Sequence, residues 1–267
     1  MSLCLCGPYV TVSCFRDFRV FVVTLFAQAR NVKRARERLS ILHEDDEILV
    51  IDKPAGLLTI PSLPTRAAFE DTVLRRVRDY VAKPRGPRPY VGVLHRLDRD
   101  TSGALALALT REAHAIGREL FRSHRFERRY LAIVHGVPHP LRGSIDVPIS
   151  DRYVAGKRGV ARAGQPARGA ITHYTVLRAF GRASLLELEL ETGRQHQIRV
   201  HLEHLGYPLV GERVYGATTS KLRAPRQMLH AWKLVFPHPV RHRTITAEAD
   251  PPADFLELIA RLDRTFR

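Results

Sequence analysis

His95-Arg-Leu-Asp-Arg-Asp-Thr-Ser-Gly103 is a charged nonapeptide set between two apolar runs, Tyr90-Val-Gly-Val-Leu94 and Ala104-Leu-Ala-Leu-Ala-Leu109. Both runs are short and sharply bounded, as strands are, so the nonapeptide reads as a loop carried by a sheet. Rigid scaffolds present reactive groups on such loops. Arg96 and Arg99 flank Asp98 and favour its charged form where their side chains turn towards it. Thr101-Ser-Gly103 closes the loop with hydroxyls and a flexible turn residue. Taken alone, this composition describes a solvated charged turn before it describes a reactive loop.

Working outward, Leu39 to Ile51 gives two apolar runs around Glu44-Asp-Asp-Glu47, the pattern of a hairpin. Phe69 to Val81 places Val73, Leu74, Val77, Tyr80 and Val81 on one helical stripe, which Lys83-Pro-Arg-Gly-Pro-Arg-Pro89 is expected to end as a loop. Thr110 is positioned to cap a second helix with Ala113, Ile116, Gly117, Leu120 and Phe121 inside. Its outer face carries Arg111, Arg118 and Arg122 and runs on into Arg125, Arg128 and Arg129, a surface either merely solvated or in contact with a polyanion. Strands are expected over Arg128–Val134, Ile171–Ala179 and Ser184–Glu191, the last with Leu186, Leu188 and Leu190 on one face. Between Arg152 and Arg168 no acidic residue occurs, which suits a flexible basic loop that orders on a polyanion. A final helix buries Phe255, Leu258, Ile259 and Leu262.

The chain has 267 residues, enough for one substantial core, with 45% hydrophobic and 26% charged residues. Its net charge of +16 is far from ordinary and points to nucleic acid before an anionic membrane, since no basic amphipathic helix dominates. The competing explanation is an arginine-rich surface without a partner. All three cysteines, Cys4, Cys6 and Cys14, fall in the first fourteen residues, which excludes a disulfide framework from the body of the chain and favours a cytoplasmic setting. Residues 1–38 differ from the rest. Their apolar run Arg19–Ala27 is too short to span a bilayer and weakly imitates a signal peptide; an appended element or a start placed too early are the preferred readings. The basic run Arg30–Arg38 serves either as a linker or as an arm on phosphate.

The decisive companion of the nonapeptide is Leu190-Glu-Thr-Gly-Arg-Gln-His-Gln-Ile-Arg-Val-His-Leu-Glu-His-Leu-Gly206, followed by Tyr207-Pro-Leu-Val-Gly-Glu-Arg-Val-Tyr-Gly216. Thr192 and Gln195 have the spacing of a capping box, which would put Arg194 in the first turn of a helix burying Ile198, His201, Leu202 and Leu205. His196, His201 and His204 lack the i, i+4 spacing of a zinc helix, so no metal is expected there. Ile51-Asp-Lys-Pro-Ala-Gly56, Arg129-Tyr-Leu-Ala-Ile-Val-His-Gly136 and Leu229-His-Ala-Trp-Lys-Leu-Val-Phe-Pro-His-Pro239 complete a series of long motifs. In this order they resemble the RluA family of RNA pseudouridine synthases, from about Leu39 to the C-terminus. Three departures are visible: Arg129 where lysine is usual, Gln195 where threonine is common, and Glu212 where aspartate is common.

The resemblance implies an α+β pseudouridine synthase fold, with a central mixed, largely antiparallel sheet flanked by helices and a cleft across its middle. Residues 39–267 would form the catalytic domain and 1–38 an atypical extension, too short for the separate N-terminal RNA-binding module that many relatives carry. The implied catalytic residues are Asp98, Tyr130 and Arg194, with Arg194 paired to Asp98 and Tyr130 stacked on the target base. Arg96, Arg99 and Arg199 are expected to hold RNA, Arg96 filling the space of a flipped base. No cofactor is implied, and the expected partner of the monomer is structured RNA, ribosomal or transfer, rather than a membrane. A catalytically silent RNA-binding protein on the same fold and a metal-dependent hydrolase are the rival readings.

Overall fold

The computed structural model describes residues 39–63, 65, 70–153, 157–216 and 222–265. The expectations for residues 1–38 lie outside these. Strands β1 (Ser40–Glu44) and β2 (Ile48–Lys53) form the expected hairpin. Its turn is pinned by Asp45, whose Oδ1 accepts the N–H groups of Glu47 (3.0 Å) and Ile48 (2.8 Å). Helix α1 (Val73–Arg85) follows, then β3 (Gly92–Val93), β4 (Ser102–Ala108), α2 (Arg111–Arg122) and β5 (Glu127–His135). The second half contributes β6 (Arg142–Asp146), β7 (Ile149–Ser150), β8 (Ala167–Arg168), β9 (Ile171–Ala179), β10 (Ala183–Leu190) and α3 (Gln197–His204). Strands β11 (Leu229–Pro237) and β12 (Thr244–Glu248) and helix α4 (Ala253–Thr265) complete it.

One sheet runs β1-β2-β4-β11-β5-β10-β9-β6, with β3 added beside β4 and β12 beside β11; β7 and β8 form a separate pair. Among the described strands only β4 and β11 pair in parallel, at His230↔Ser102 and Ala231↔Gly103, so the sheet is mixed but largely antiparallel. Strands β2 and β4 are buried on both faces, which explains why they read as unbroken apolar runs. Leu49, Ile51, Leu105 and Leu107 enter the core that α1 covers with Val73, Val77 and Val81. Ile48, Val50, Ala104, Ala106 and Ala108 enter the opposite core with Ala113 of α2. Small residues on that second face allow α2 to lie close to the sheet.

Several boundaries differ from those expected. Helix α1 begins at Val73, where the Thr72 hydroxyl accepts the Arg75 N–H (3.2 Å), and it continues through Pro84. A proline in the last turn removes one hydrogen bond without stopping the helix, and Gly86 N–H closes the end on the Ala82 carbonyl. Thr110 caps α2 as anticipated, accepting from Ala113 N–H (3.1 Å), but Ile116 is exposed rather than buried. Of the run Tyr90–Leu94 only two residues pair as strand. The basic loop is partly tied down: β8 pairs with β7 and Val160 bridges to Ile149.

Candidate active site

The loop carrying Asp98 is held through its backbone and its hydroxyls. Thr59 Oγ1 donates to the Leu97 carbonyl (2.8 Å) and accepts the Leu97 N–H (3.2 Å). Lys53, fully buried, donates from Nζ to the carbonyls of Pro54 (2.9 Å), Leu57 (2.7 Å) and Arg99 (2.9 Å). On the other flank Arg226, paired with Asp254 (2.7 Å), donates to the Asp100 carbonyl (3.0 Å) and to Ser102 Oγ (3.3 Å). Thr101 Oγ1 accepts from Gln227 Nε2 (3.0 Å). Ser102 Oγ meets His230 Nδ1 (2.9 Å), whose Nε2 donates to the Ala249 carbonyl (2.9 Å). Gly103 must be glycine: at φ +115° a Cβ would lie 2.2 Å from the Ala231 carbonyl oxygen. The hydroxyls and glycine of the nonapeptide therefore build the loop, leaving Asp98 to act from it.

Burial lowers Lys53 to about 7, against the pull of Asp100 and Asp98. Lys53→Met keeps the length and loses the hydrogen bonds of Nζ to these carbonyls, so it is expected to destabilise the fold by about 3 kcal/mol, as read by urea unfolding at pH 7. The wild type carries a second signature. Between pH 7 and 10.5 the unfolded chain binds a lysine proton that the folded chain lacks, so stability rises with pH across that window. This part of the slope should vanish in the methionine variant; equal slopes in both proteins would contradict the assignment.

The loop opens on a cleft of about 870 Å³ shared with the strands β5 and β10 and the segment 193–199. Among the described residues six arginines line it, Arg96, Arg99, Arg118, Arg128, Arg194 and Arg199, against two acids, Asp98 and Asp100. That imbalance suits a polyanion. At its floor Arg199 Nη1 donates to Asp98 Oδ2 (3.1 Å). The other edge of the same guanidinium is clamped by Glu212, Nε to Oε2 at 2.8 Å and Nη2 to Oε1 at 2.7 Å. Glu212 is almost fully buried and also accepts the N–H groups of Arg213 and Val214. Burial alone would raise its pKa, but Arg199 and the amides of Val214 and Tyr215 hold it below the usual carboxylate range. The glutamate found where aspartate is common thus makes a complete fork to Arg199.

The expected partner of Asp98 was Arg194, and the structure corrects this. Segment 192–195 is not helical. Thr192 Oγ1 donates to Gln197 Oε1 (2.9 Å) and accepts the Ile171 N–H (2.9 Å), and the Arg194 N–H also goes to Gln197 Oε1. His196 then takes a left-handed conformation, φ 58°, and α3 starts at Gln197 without a side-chain cap. The capping box does not form, the helix begins later, and Arg194 turns its Nε to the Gly169 carbonyl (2.9 Å) on the cleft wall. Arg199, expected on RNA, is buried beneath Asp98. A charged residue between Ile198 and Val200, both apolar, was the available signal that a partnered interior cation lies there.

Tyr130 and Arg128 enter from β5. Burial, opposed by Arg128 and reinforced by Asp98, raises Tyr130 to about 12, so the phenol keeps its proton and offers a ring face and a donor. Arg128 is buried rather than on a basic surface. Its Nη2 donates to the carbonyls of Leu190 (3.0 Å) and Glu191 (2.8 Å), and it stacks over Phe121. His95, held near 3 by burial and then by Arg128, stays neutral; its Nε2 accepts the Ala106 N–H (3.1 Å). Arg96 is exposed on the rim, and Arg99 Nε reaches the Gly56 carbonyl (3.2 Å). Of the three histidines in this segment, His201 commits both ring nitrogens, to Thr172 Oγ1 and the Val147 carbonyl. Among the described residues no helix is long and apolar enough to cross a membrane.

Sheet, basic cleft and arginine-clamped carboxylate define a nucleic-acid-handling enzyme. Residues 47–204 match the family model described as RNA pseudouridylate synthase. An uncharacterized RNA pseudouridine synthase of Bacillus subtilis, YhcT, is 41% identical over 90% of this chain and 78% of its own length. The ribosomal large subunit pseudouridine synthase D of Pseudomonas aeruginosa is 40% identical over 84% and 72% respectively. Human RNA pseudouridylate synthase domain containing 4 superposes with a TM-score of 0.69 at 26% identity, covering 93% of this chain and 98% of that one. The chain belongs to the RNA pseudouridylate synthase family, in its RluA branch, and is an isomerase acting on RNA. Neither rival reading finds support in these relationships.

Proposed function

We propose that the chain isomerises one or a few uridines in structured RNA, in the cytoplasm and as a monomer, with residues 39–267 as the catalytic domain and 1–38 as an extension. Relatives named for the ribosomal large subunit favour ribosomal RNA as the substrate, with transfer RNA as the alternative. The observation that carries the mechanism is the clamp Asp98–Arg199–Glu212 at the floor of an arginine-lined cleft. The target base leaves its stack to reach that floor, and Arg96 on the rim occupies the space it vacates. There the N1–C1′ bond breaks, the uracil turns, C5 bonds to C1′, N1 gains a proton and C5 loses one. Asp98, with Oδ2 engaged by Arg199 and Oδ1 open to the cleft, supplies the negative charge this needs. Tyr130 packs its ring on the base; with its proton firmly held, it is not the free enzyme's base for C5.

RNA tritiated at uracil C5 tests this reading. The protein should release tritium from ribosomal RNA to water at a rate unaffected by EDTA, and pseudouridine mapping in cells lacking the gene should show discrete sites lost. No release from ribosomal or transfer RNA would overturn the proposal. Activity lost to EDTA and restored by zinc would favour metal-assisted chemistry instead.

A further inference from the structure

We propose that His196 is a positioning residue that presents its Nε2–H to the open oxygen of Asp98, its tautomer set from behind by Tyr215 and the backbone of Arg158. This inference rests on the reading of Asp98 as the reacting carboxylate.

His196 Nδ1 lies 2.6 Å from Tyr215 Oη, and the same phenol oxygen accepts the N–H of Arg158 at 3.2 Å. Tyr215 is 2% exposed, so its own proton needs an acceptor, and among the described residues His196 Nδ1 is the one it meets. With the phenol donating, Nδ1 carries no hydrogen and the ring proton sits on Nε2. That nitrogen is 3.7 Å from Asp98 Oδ1, while Oδ2 is taken by Arg199. The opposite tautomer would strand a buried phenol proton and aim a lone pair at a carboxylate. Both penalties select the same arrangement.

The groups facing His196 are consistent with it. Asp98 and Glu212 draw it towards the charged form, Arg199 and Arg158 oppose that, and burial, the largest influence, keeps the imidazole neutral. Arg199 also stacks over the Tyr215 ring (4.9 Å), so the phenol and both nitrogen partners of Asp98 form one packed unit. At 3.7 Å the contact is a loose one. A shift of under 1 Å on substrate engagement would make it a hydrogen bond and fix the carboxylate plane, and such contacts commonly tighten only in the complex.

A backbone role for His196 must be separated from this one, because its φ of 58° favours particular residues. Asparagine adopts that conformation readily and glutamine does not, yet only glutamine carries an amide N–H as far as Nε2. The two roles therefore predict opposite orders. If the proton on Asp98 matters, His196→Asn lowers kcat roughly 10- to 100-fold with KM little changed, and His196→Gln recovers most of that loss. Tyr215 does not line the cleft; Tyr215→Phe should lower kcat severalfold, and combined with His196→Asn should add little further loss. Single-turnover tritium release and thermal melts on the full chain provide the readouts. His196→Asn matching or exceeding His196→Gln, equal losses in both, or additive loss in the double variant would overturn the positioning role. An active Asp98→Ala protein would instead overturn the site reading beneath it.

Discussion

Asp98→Ala is expected to release tritium from C5-labelled RNA at least about 10⁴-fold more slowly than the wild type, with RNA affinity kept within about threefold. Truncating this side chain is a chemical change and hardly a structural one. The loop hangs from Thr59, Lys53 and Arg226 through main-chain atoms, none of which involves the Asp98 carboxylate. Arg199 keeps its fork to Glu212 when Asp98 is cut back, so no buried cation is orphaned. Affinity, by contrast, is expected from the cleft arginines that lie outside the interior, Arg96, Arg99, Arg118 and Arg194, through phosphate contact. Asp98→Asn should be equally inactive, because it keeps the shape and loses the charge. Release persisting above about 1% of the wild-type rate in either variant would remove Asp98 from the chemistry.

Arg199→Ala should lower kcat about 10²- to 10³-fold and also weaken the fold by about 3–5 kcal/mol. The double cost follows from its two partners. Asp98 loses the cation that holds Oδ2, and Glu212, 2% exposed, is left buried and unpaired. Arg199→Lys restores a charge but not a fork that serves two carboxylates at once, so it should rescue little. Arg194→Ala provides the contrast. Its guanidinium bonds a single carbonyl on the cleft wall, and its loss should cost less than about tenfold, mainly in RNA affinity. Steady-state kinetics with urea unfolding separates the two arginines, and a larger kcat defect at Arg194 would reverse the assignment.

Much of the fold could be read from the residues because local and global preferences agree. The hairpin around Asp45, the Thr110 cap, the strand Ile171–Ala179 and the alternation of Leu186, Leu188 and Leu190 all have causes within a few positions. What escaped reading depends on distant partners. The Thr192 hydroxyl could cap a helix, but the Ile171 amide and Gln197 claim it, and a left-handed His196 delays the helix. That delay exchanges Arg194 for Arg199 beneath Asp98. Lys53 was visible only as part of a motif, since its three acceptors lie on carbonyls that no pattern of side chains reveals. Glu212 stood out as a departure, yet its use required knowing where Arg199 points.

The row Ala104, Ala106 and Ala108 has a consequence for the breadth of the cleft. Helix α2 rests on these methyl groups, and where Gly117 meets Leu94 a Cβ would come within 2.6 Å of the leucine side chain. Phe121 and Arg118 at the mouth of the cleft ride on that same helix. The distance between the two walls is thus metered by the smallest side chains of the interior. One added methylene at Ala106 would press on that helix from behind, leaving every residue that lines the cleft unaltered.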